Sequence, residues 1–240
     1  MTTDPALATP QRVGSITGVI IGPLQEDYLD DRPYAVAALA RLRRGAGKEF
    51  AQVPDLWGLA DTAALYEQPP ARRPLSEDEL IHAEDAVHVA LTLWALHQQS
   101  RRKAMHRSDR NTAPMGFGAA VRRLMPRNEI DEPVRKRFVR VGNAPDLAAM
   151  ALRLRDVVLL LRREDIELDY VLLAEQLYRW QEPGGRDLVR RAWGRSFHAY
   201  RTPEDSGTDD SPTDASPASP AATDASATAD ATDTIDKDAS

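Results

Sequence analysis

The chain contains no cysteine, which removes disulfide bridges, thiolate metal sites and cysteine nucleophiles from consideration. No apolar run approaches the roughly 20 residues that a membrane-crossing helix needs, and the opening MTTDPALATPQRVGS lacks the basic-then-apolar order of a secretory signal. The sequence therefore predicts a cytoplasmic protein with no membrane partner. No serine lies in GxSxG and no histidine in HExxH, so neither a nucleophile elbow nor a zinc-protease helix is present. RRGAGKEF brings glycine and lysine together, but without the GxxxxGK[ST] spacing of a phosphate loop and with no strand before it. Period-two alternation is missing throughout, and no strand is predicted.

Aromatic residues are 6% of the chain, and from Thr202 onward there are none. That stretch has Ile235 as its only large aliphatic side chain. It has too little apolar surface to offset the entropy of ordering, so residues 202–240 are predicted to be a disordered acidic tail. Its ten acids against one lysine account for the whole-chain charge of −6, because residues 1–201 carry 30 basic and 27 acidic side chains. Residues 1–14 read as a flexible leader.

What is present is helical. ITGVIIGPLQEDYLD suits a helix that Gly22 and Pro23 interrupt or restart. Pro33 sits where the first turn of the next helix wants it, with Tyr34, Ala38 and Leu42 on one stripe. VPDLWGLADTAALYE offers one or two short turns. Ser76 and Glu79 form a capping box, with Leu75 and Leu80 as its staple, for a helix running to about Gln98. Phe117, Val121 and Leu124 make a buried stripe, as do Val134, Phe138 and Val141. Asn143 and Asp146 have N-cap and N3 spacing for a helix whose Leu147, Met150, Leu154, Val157 and Leu161 mark it as the central core helix. Asp169 caps another, striped by Tyr170, Leu173, Leu177 and Trp180. After EPGG the last helix turns Val189, Trp193, Phe197 and Tyr200 inward. The fold class is all-α, a helical bundle of two small subdomains, residues 15–113 with a basic linker and residues 114–201.

The same residues argue against catalysis. His82, His88 and His97 share one helix without further metal-ligand spacing, so no metal or cofactor is expected. The acid pairs Asp30 with Asp31, and Asp165 with Glu167 and Asp169, sit at predicted helix ends, where a carboxylate meets unpaired amides. No enzyme is expected.

The most unusual stretch runs from Arg101 to Arg140. It holds Arg101, Arg102, Lys103, Arg107, Arg110, Arg122, Arg123, Arg127, Arg135, Lys136, Arg137 and Arg140 against four acids, and Arg43, Arg44 and Lys48 form a smaller cluster upstream. Such a field attracts a polyanion. A solvated surface whose arginines pair with acids elsewhere in the fold would give the same composition. A stand-alone helix-turn-helix DNA-binding regulator would share the basic surface but needs a tri-helical unit with a clear turn. A protein scaffold would use the arginines for salt bridges alone.

ALARLRRGAGK, DLWGLAD, ALTLWALHQQ, MGFGAAVRRLM, PVRKRFVRVGNAPDLAAMALRLRDVVLLLRRE, IELDYVLLAEQLYRW and VRRAWGRSFHAY follow one another across residues 15–200. This succession resembles the CasB family, the small subunit of the type I-E CRISPR Cascade complex. The resemblance implies a non-catalytic subunit of an RNA-guided surveillance complex in antiviral defence. Its implied partners are guide RNA, target DNA, the displaced DNA strand, the backbone and large subunits, and a second copy of itself. It implies a role in stabilising the R-loop, with cutting left to a separate nuclease-helicase. Arg43, Arg44, Arg122, Arg123, Arg135, Lys136, Arg137 and Arg140 lie in the matching segments, whereas Arg101, Arg102, Lys103, Arg107 and Arg110 match in character only.

Truncation after Arg201 should leave the melting temperature and cooperativity unchanged and modestly tighten nucleic-acid binding by removing acidic charge. A large loss of cooperativity in thermal unfolding would show that the tail packs.

Overall fold

In the computed structural model the described residues are 8–56, 58–59, 63–66, 74–108, 115–127 and 129–199. Regular structure among them is helical. The helices are α1 Thr9–Leu29, α2 Pro33–Leu42, α3 Ala63–Tyr66, α4 Glu77–Gln98, α5 Phe117–Arg123, α6 Glu132–Gly142, α7 Leu147–Arg163, α8 Tyr170–Gln181 and α9 Gly185–Ala199. Single 3-10 turns at Arg43–Gly45, Phe50–Gln52 and Pro54–Leu56 connect α2 towards α3, and the sole β-type pairing among the described residues is an isolated parallel bridge between His106 and Leu168. The tail from residue 202, together with Trp57, Arg110 and Tyr200, lies outside the described residues.

α4 begins at the expected capping box. Glu79 N donates to Ser76 Oγ at 3.3 Å, and Ser76 N donates to Glu79 Oε2 at 2.8 Å. From Ala86 to Gln98 every residue of α4 is buried, because α1, α2, α7 and α8 pack around it. The core that results is one cluster reaching from Val13 on α1 to Phe197 on α9. α5 crosses α9 so closely that a Cβ on Gly118 would lie 2.0 Å from the Trp193 carbonyl oxygen, and only glycine fits there.

Several expectations need correction. Residues 9–14, expected in a flexible leader, are helical, since α1 starts at Thr9 and buries Val13 and Gly14. Pro23 does not interrupt α1. It removes the donor for the Val19 carbonyl, but Val19 is 71% exposed, so water can serve that oxygen. Tyr34 leaves the predicted stripe and is exposed, its hydroxyl donating to Asp27 Oδ2, while Ala35, Ala38, Leu39 and Leu42 form the buried face.

The central helix is α4 rather than α7, which keeps Leu152 exposed along with Arg155 and Asp156. Asp146, not Asn143, caps α7, its Oδ1 accepting from Ala149 N at 2.7 Å, while Asn143 ends α6. Asp165 and Glu167 do not serve as helix caps but pair with cations, whereas Asp169 does cap α8.

Trp94, Trp180 and Trp193 are each no more than 2% exposed. Trp94 Nε1 donates to Gln25 Oε1 at 3.3 Å, and Trp193 Nε1 to Gln176 Oε1 at 2.7 Å. Each single alanine substitution should destabilise by about 3–5 kcal/mol, read as a shift in denaturant midpoint. Wild-type midpoints for all three would contradict this core.

Candidate nucleic-acid interface

The basic linker after α4 is held by a buried amide. Gln98 Nε2 donates to the carbonyls of Arg101 (3.2 Å) and Lys103 (2.9 Å), and Met105 N donates to Gln98 Oε1 (2.9 Å). The segment before α8 continues the fixation. Leu168 N donates to the Met105 carbonyl at 3.0 Å, and Tyr170 N donates to His106 Nδ1 at 3.1 Å. A stretch that reads as a loop is thereby laid beside residues 165–170 with defined side-chain directions.

Those directions pair some of the candidate cations with acids. Arg101 meets Asp165 at 2.9 Å, while Lys103 (3.4 Å) and Arg123 (3.1 Å) share Glu167. Burial works to raise the Glu167 carboxyl, but a hydrogen bond from its own backbone N–H, followed by Lys103 and Arg123, holds it below its ordinary value. Arg135 is chelated by Glu132 one turn earlier, at 2.8 and 3.0 Å. Arg122 turns back on the end of α5, donating to the carbonyls of Pro126 and Arg127. For this subset the structure shows intramolecular partners.

A second set faces outward. On α6, Val141 is buried and Phe138 stacks on Phe197 with ring centroids 5.2 Å apart. Lys136, Arg137 and Arg140 on the other side are exposed. None is in a salt bridge among the described residues, although the charge of Lys136 reaches Glu132 one turn earlier and, after the hydrogen bond from Arg135, helps hold its carboxyl below the ordinary value. Arg44, Lys48 and Arg102 are likewise exposed, and Arg43 is half-buried. Arg107 and Arg127 are exposed.

Two arginines outside the candidate set join the α6 cations. Arg153 of α7 donates to the Arg140 carbonyl, and Arg190 of α9 donates through Nε to the Gly142 carbonyl at 2.6 Å. Three helices therefore bring Arg140, Arg153 and Arg190 to the C-terminal end of α6. Arg153 and Arg190 had a sequence signal, being off the apolar stripes of their helices, but which helix each would meet is set by the packing alone.

A family model, CRISPR-associated protein Cse2, matches residues 38–198, a span that includes every candidate cation. The chain belongs to the Cse2 family. Among solved structures, CasB from Thermobifida fusca is 52% identical, with a TM-score of 0.69 over 78% of this chain and 98% of that one. A chain of a CRISPR RNA-guided surveillance complex shares the fold at 17% identity, with a TM-score of 0.53 over 78% of this chain and 95% of that one. No curated protein matches. The CasB resemblance read from the motifs is thus shown, and the chain is of the CasB/Cse2 type of non-catalytic small subunit.

Within this Cse2 chain, two arginines, Arg101 and Arg162, act on one buried histidine. Burial lowers the Arg162 pKa, with Arg101 and Arg43 adding repulsion. His97 is fully buried, its Nδ1 3.0 Å from the Tyr170 hydroxyl. Its pKa is pushed down to about 3, first by burial and then by Arg162 and Arg101. The folded chain keeps His97 neutral while the unfolded chain protonates it near pH 6.5.

The stabilisation is complete above about pH 6.5 and is lost as pH falls from there towards 3. Burial depresses His88 and His106 in the same direction. Denaturant stability should fall by about 1.4 kcal/mol per pH unit for each excluded proton, with pH 6.5 to 5 the window clear of most carboxylates. His97→Gln should remove part of that slope, and an unchanged slope would contradict the neutral buried histidine.

Proposed function

We propose that this chain is a subunit of an RNA-guided DNA-surveillance complex and stabilises the R-loop by holding nucleic-acid backbone. The observation that carries this reading is the set Lys136, Arg137 and Arg140, exposed, in no salt bridge among the described residues, and mounted on a helix anchored by Phe138. Arg153 extends that surface onto α7, while Arg190 of α9 borders it with its own charge paired to Asp187 at 3.2 Å. Phosphates displace counterions when they meet such cations, so the contact is sequence-independent and salt-sensitive. Guide RNA, target strand and displaced strand all offer this chemistry, and base pairing with the guide supplies the sequence. The kinship with CasB and the shared fold with a surveillance-complex chain support the setting.

Arg101, Lys103, Arg123 and Arg135 support a different role for part of the basic stretch. The ion pairs of Arg101, Lys103 and Arg123 favour holding the linker, α5 and the α7–α8 turn together, and that of Arg135 with Glu132 braces the first turn of α6. The two sets are separable by experiment. The combined variant Lys136→Ala, Arg137→Ala, Arg140→Ala should fold normally, open less supercoiled target, and flatten the salt dependence by roughly one unit for each phosphate left without its cation. Arg123→Ala should change stability more than salt slope. R-loop formation at several salt concentrations, with complexes of equal subunit content, measures both. Wild-type extent and slope in the triple variant would sink the assignment.

A further inference from the structure

A groove of about 530 Å³ lies between α4, the Lys48–Ala51 segment and the first turns of α7. Its floor is one face of α4, where Ile81, Asp85 and His88 recur at helical spacing. One wall is pinned to that floor: His88 Nε2 lies 3.1 Å from the Lys48 carbonyl, and the Phe50 ring sits 5.5 Å from the His88 ring. The approach is tight, since a Cβ on Gly45 would meet Leu56, Thr92 and His88 within 3.2 Å. The other wall is Asp146, Leu147 and Ala151 of α7, fixed by the packing of α4 on α7. The groove is therefore preformed.

Its chemistry is opposite to that of the α6 face. The carboxylate of Asp85 lies on the floor, half-buried, and among the described residues it makes no hydrogen bond or ion pair. Burial pushes its carboxyl above the ordinary value, with Glu49 and Glu84 adding to the rise and His82 opposing it. Glu49 and Asp146 stand at the rim against a single cation, Lys48. A half-buried carboxylate without a hydrogen bond is costly, and a cation that seals it from water relieves that cost. Phosphate is repelled by the three acids, which excludes nucleic acid as occupant. Phe50, Ile81 and Ala151 offer apolar contact to a methylene stem.

We propose that this groove receives an arginine or lysine side chain from an apolar segment of a partner protein in the complex, its stem on Phe50 and Ile81 and its charge on Asp85. The chain then has two interfaces of opposite sign, one for backbone phosphate and one for protein. This proposal rests on membership of the complex, and the experiment separates the two. Complexes lacking this subunit are titrated with the wild-type chain, Asp85→Asn or Asp85→Arg, each first checked for unchanged melting, and subunit incorporation is measured. A photo-crosslinking benzoylphenylalanine replacing Ile81, which is 47% exposed, reports what lies over the groove.

Asp85→Arg should weaken incorporation by roughly tenfold or more and Asp85→Asn by less, with single-stranded DNA binding by the isolated chain no weaker. The crosslink should map to a protein segment containing arginine or lysine. Wild-type incorporation of Asp85→Arg, or a crosslink to RNA or DNA, would overturn the groove's assignment. Failure of the wild-type chain itself to incorporate would instead overturn the assembly reading, and the groove's role with it.

Discussion

The structure depends on burying one helix from every side. Between Asp85 and Arg101 the chain has no formally charged residue, so α4 presents apolar surface around its whole circumference and must be enclosed. α1, α2, α7 and α8 do this, each contributing one apolar stripe. Once those stripes are committed inward, the charged residues of the same helices face outward. α6 sits one layer further out, packed on α7 and α5, and so presents its whole polar side to solvent. The cationic surface is thus a geometric consequence of enclosing α4, with arginine and lysine filling the positions that the layering leaves outside.

Enclosure also forces the polar groups of α4 to find partners. Thr92 donates to the His88 and Val89 carbonyls, Gln98 spends its amide on the linker, and His97 lies against Tyr170. These bonds decide which way the linker leaves α4. Because Gln98 holds the carbonyls of Arg101 and Lys103, their side chains point to Asp165 and Glu167. Surface ion pairs of this kind contribute little stability individually. Their effect here is selective, because they neutralise Arg101, Lys103 and Arg123 beside the α7–α8 turn and leave Arg137 and Arg140 on α6 outside any salt bridge among the described residues.

Periodicity carried much of the fold. The capping box of α4, the stripes of α5, α6 and α8 and the Asp169 cap are all local patterns, and they appear where spacing put them. What failed was set by context. Pro23 is tolerated because the carbonyl it leaves without a donor belongs to exposed Val19, and Tyr34 is exposed because Ala35, Ala38, Leu39 and Leu42 fill the interface. The α4 segment has weak periodicity for the same reason that it is central, so a search for stripes favours α7 instead. The basic stretch was legible as a charge bias. Which of its cations are paired was not, because Asp165 and Glu167 are distant in sequence from Arg101, Lys103 and Arg123.

The choice of arginine at three positions follows from where they stand. The C-terminal ends of α5 and α6 expose carbonyl oxygens and the negative end of each helix dipole, a poor environment for phosphate. Arg122 covers the carbonyls beyond α5, while Arg153 and Arg190 cover those of Arg140 and Gly142 at the end of α6. A guanidinium has five donors in a planar fork, so it can satisfy a carbonyl with one edge and use the rest elsewhere, as Arg190 does in pairing Nη1 with Asp187 at 3.2 Å and Arg122 in reaching two carbonyls. Lysine would supply the charge without that division of donors. The same side chains that close two helix ends thereby remove the local negative potential that would otherwise weaken an anion's approach to Lys136, Arg137 and Arg140, and folding and the proposed backbone contact draw on one set of hydrogen bonds.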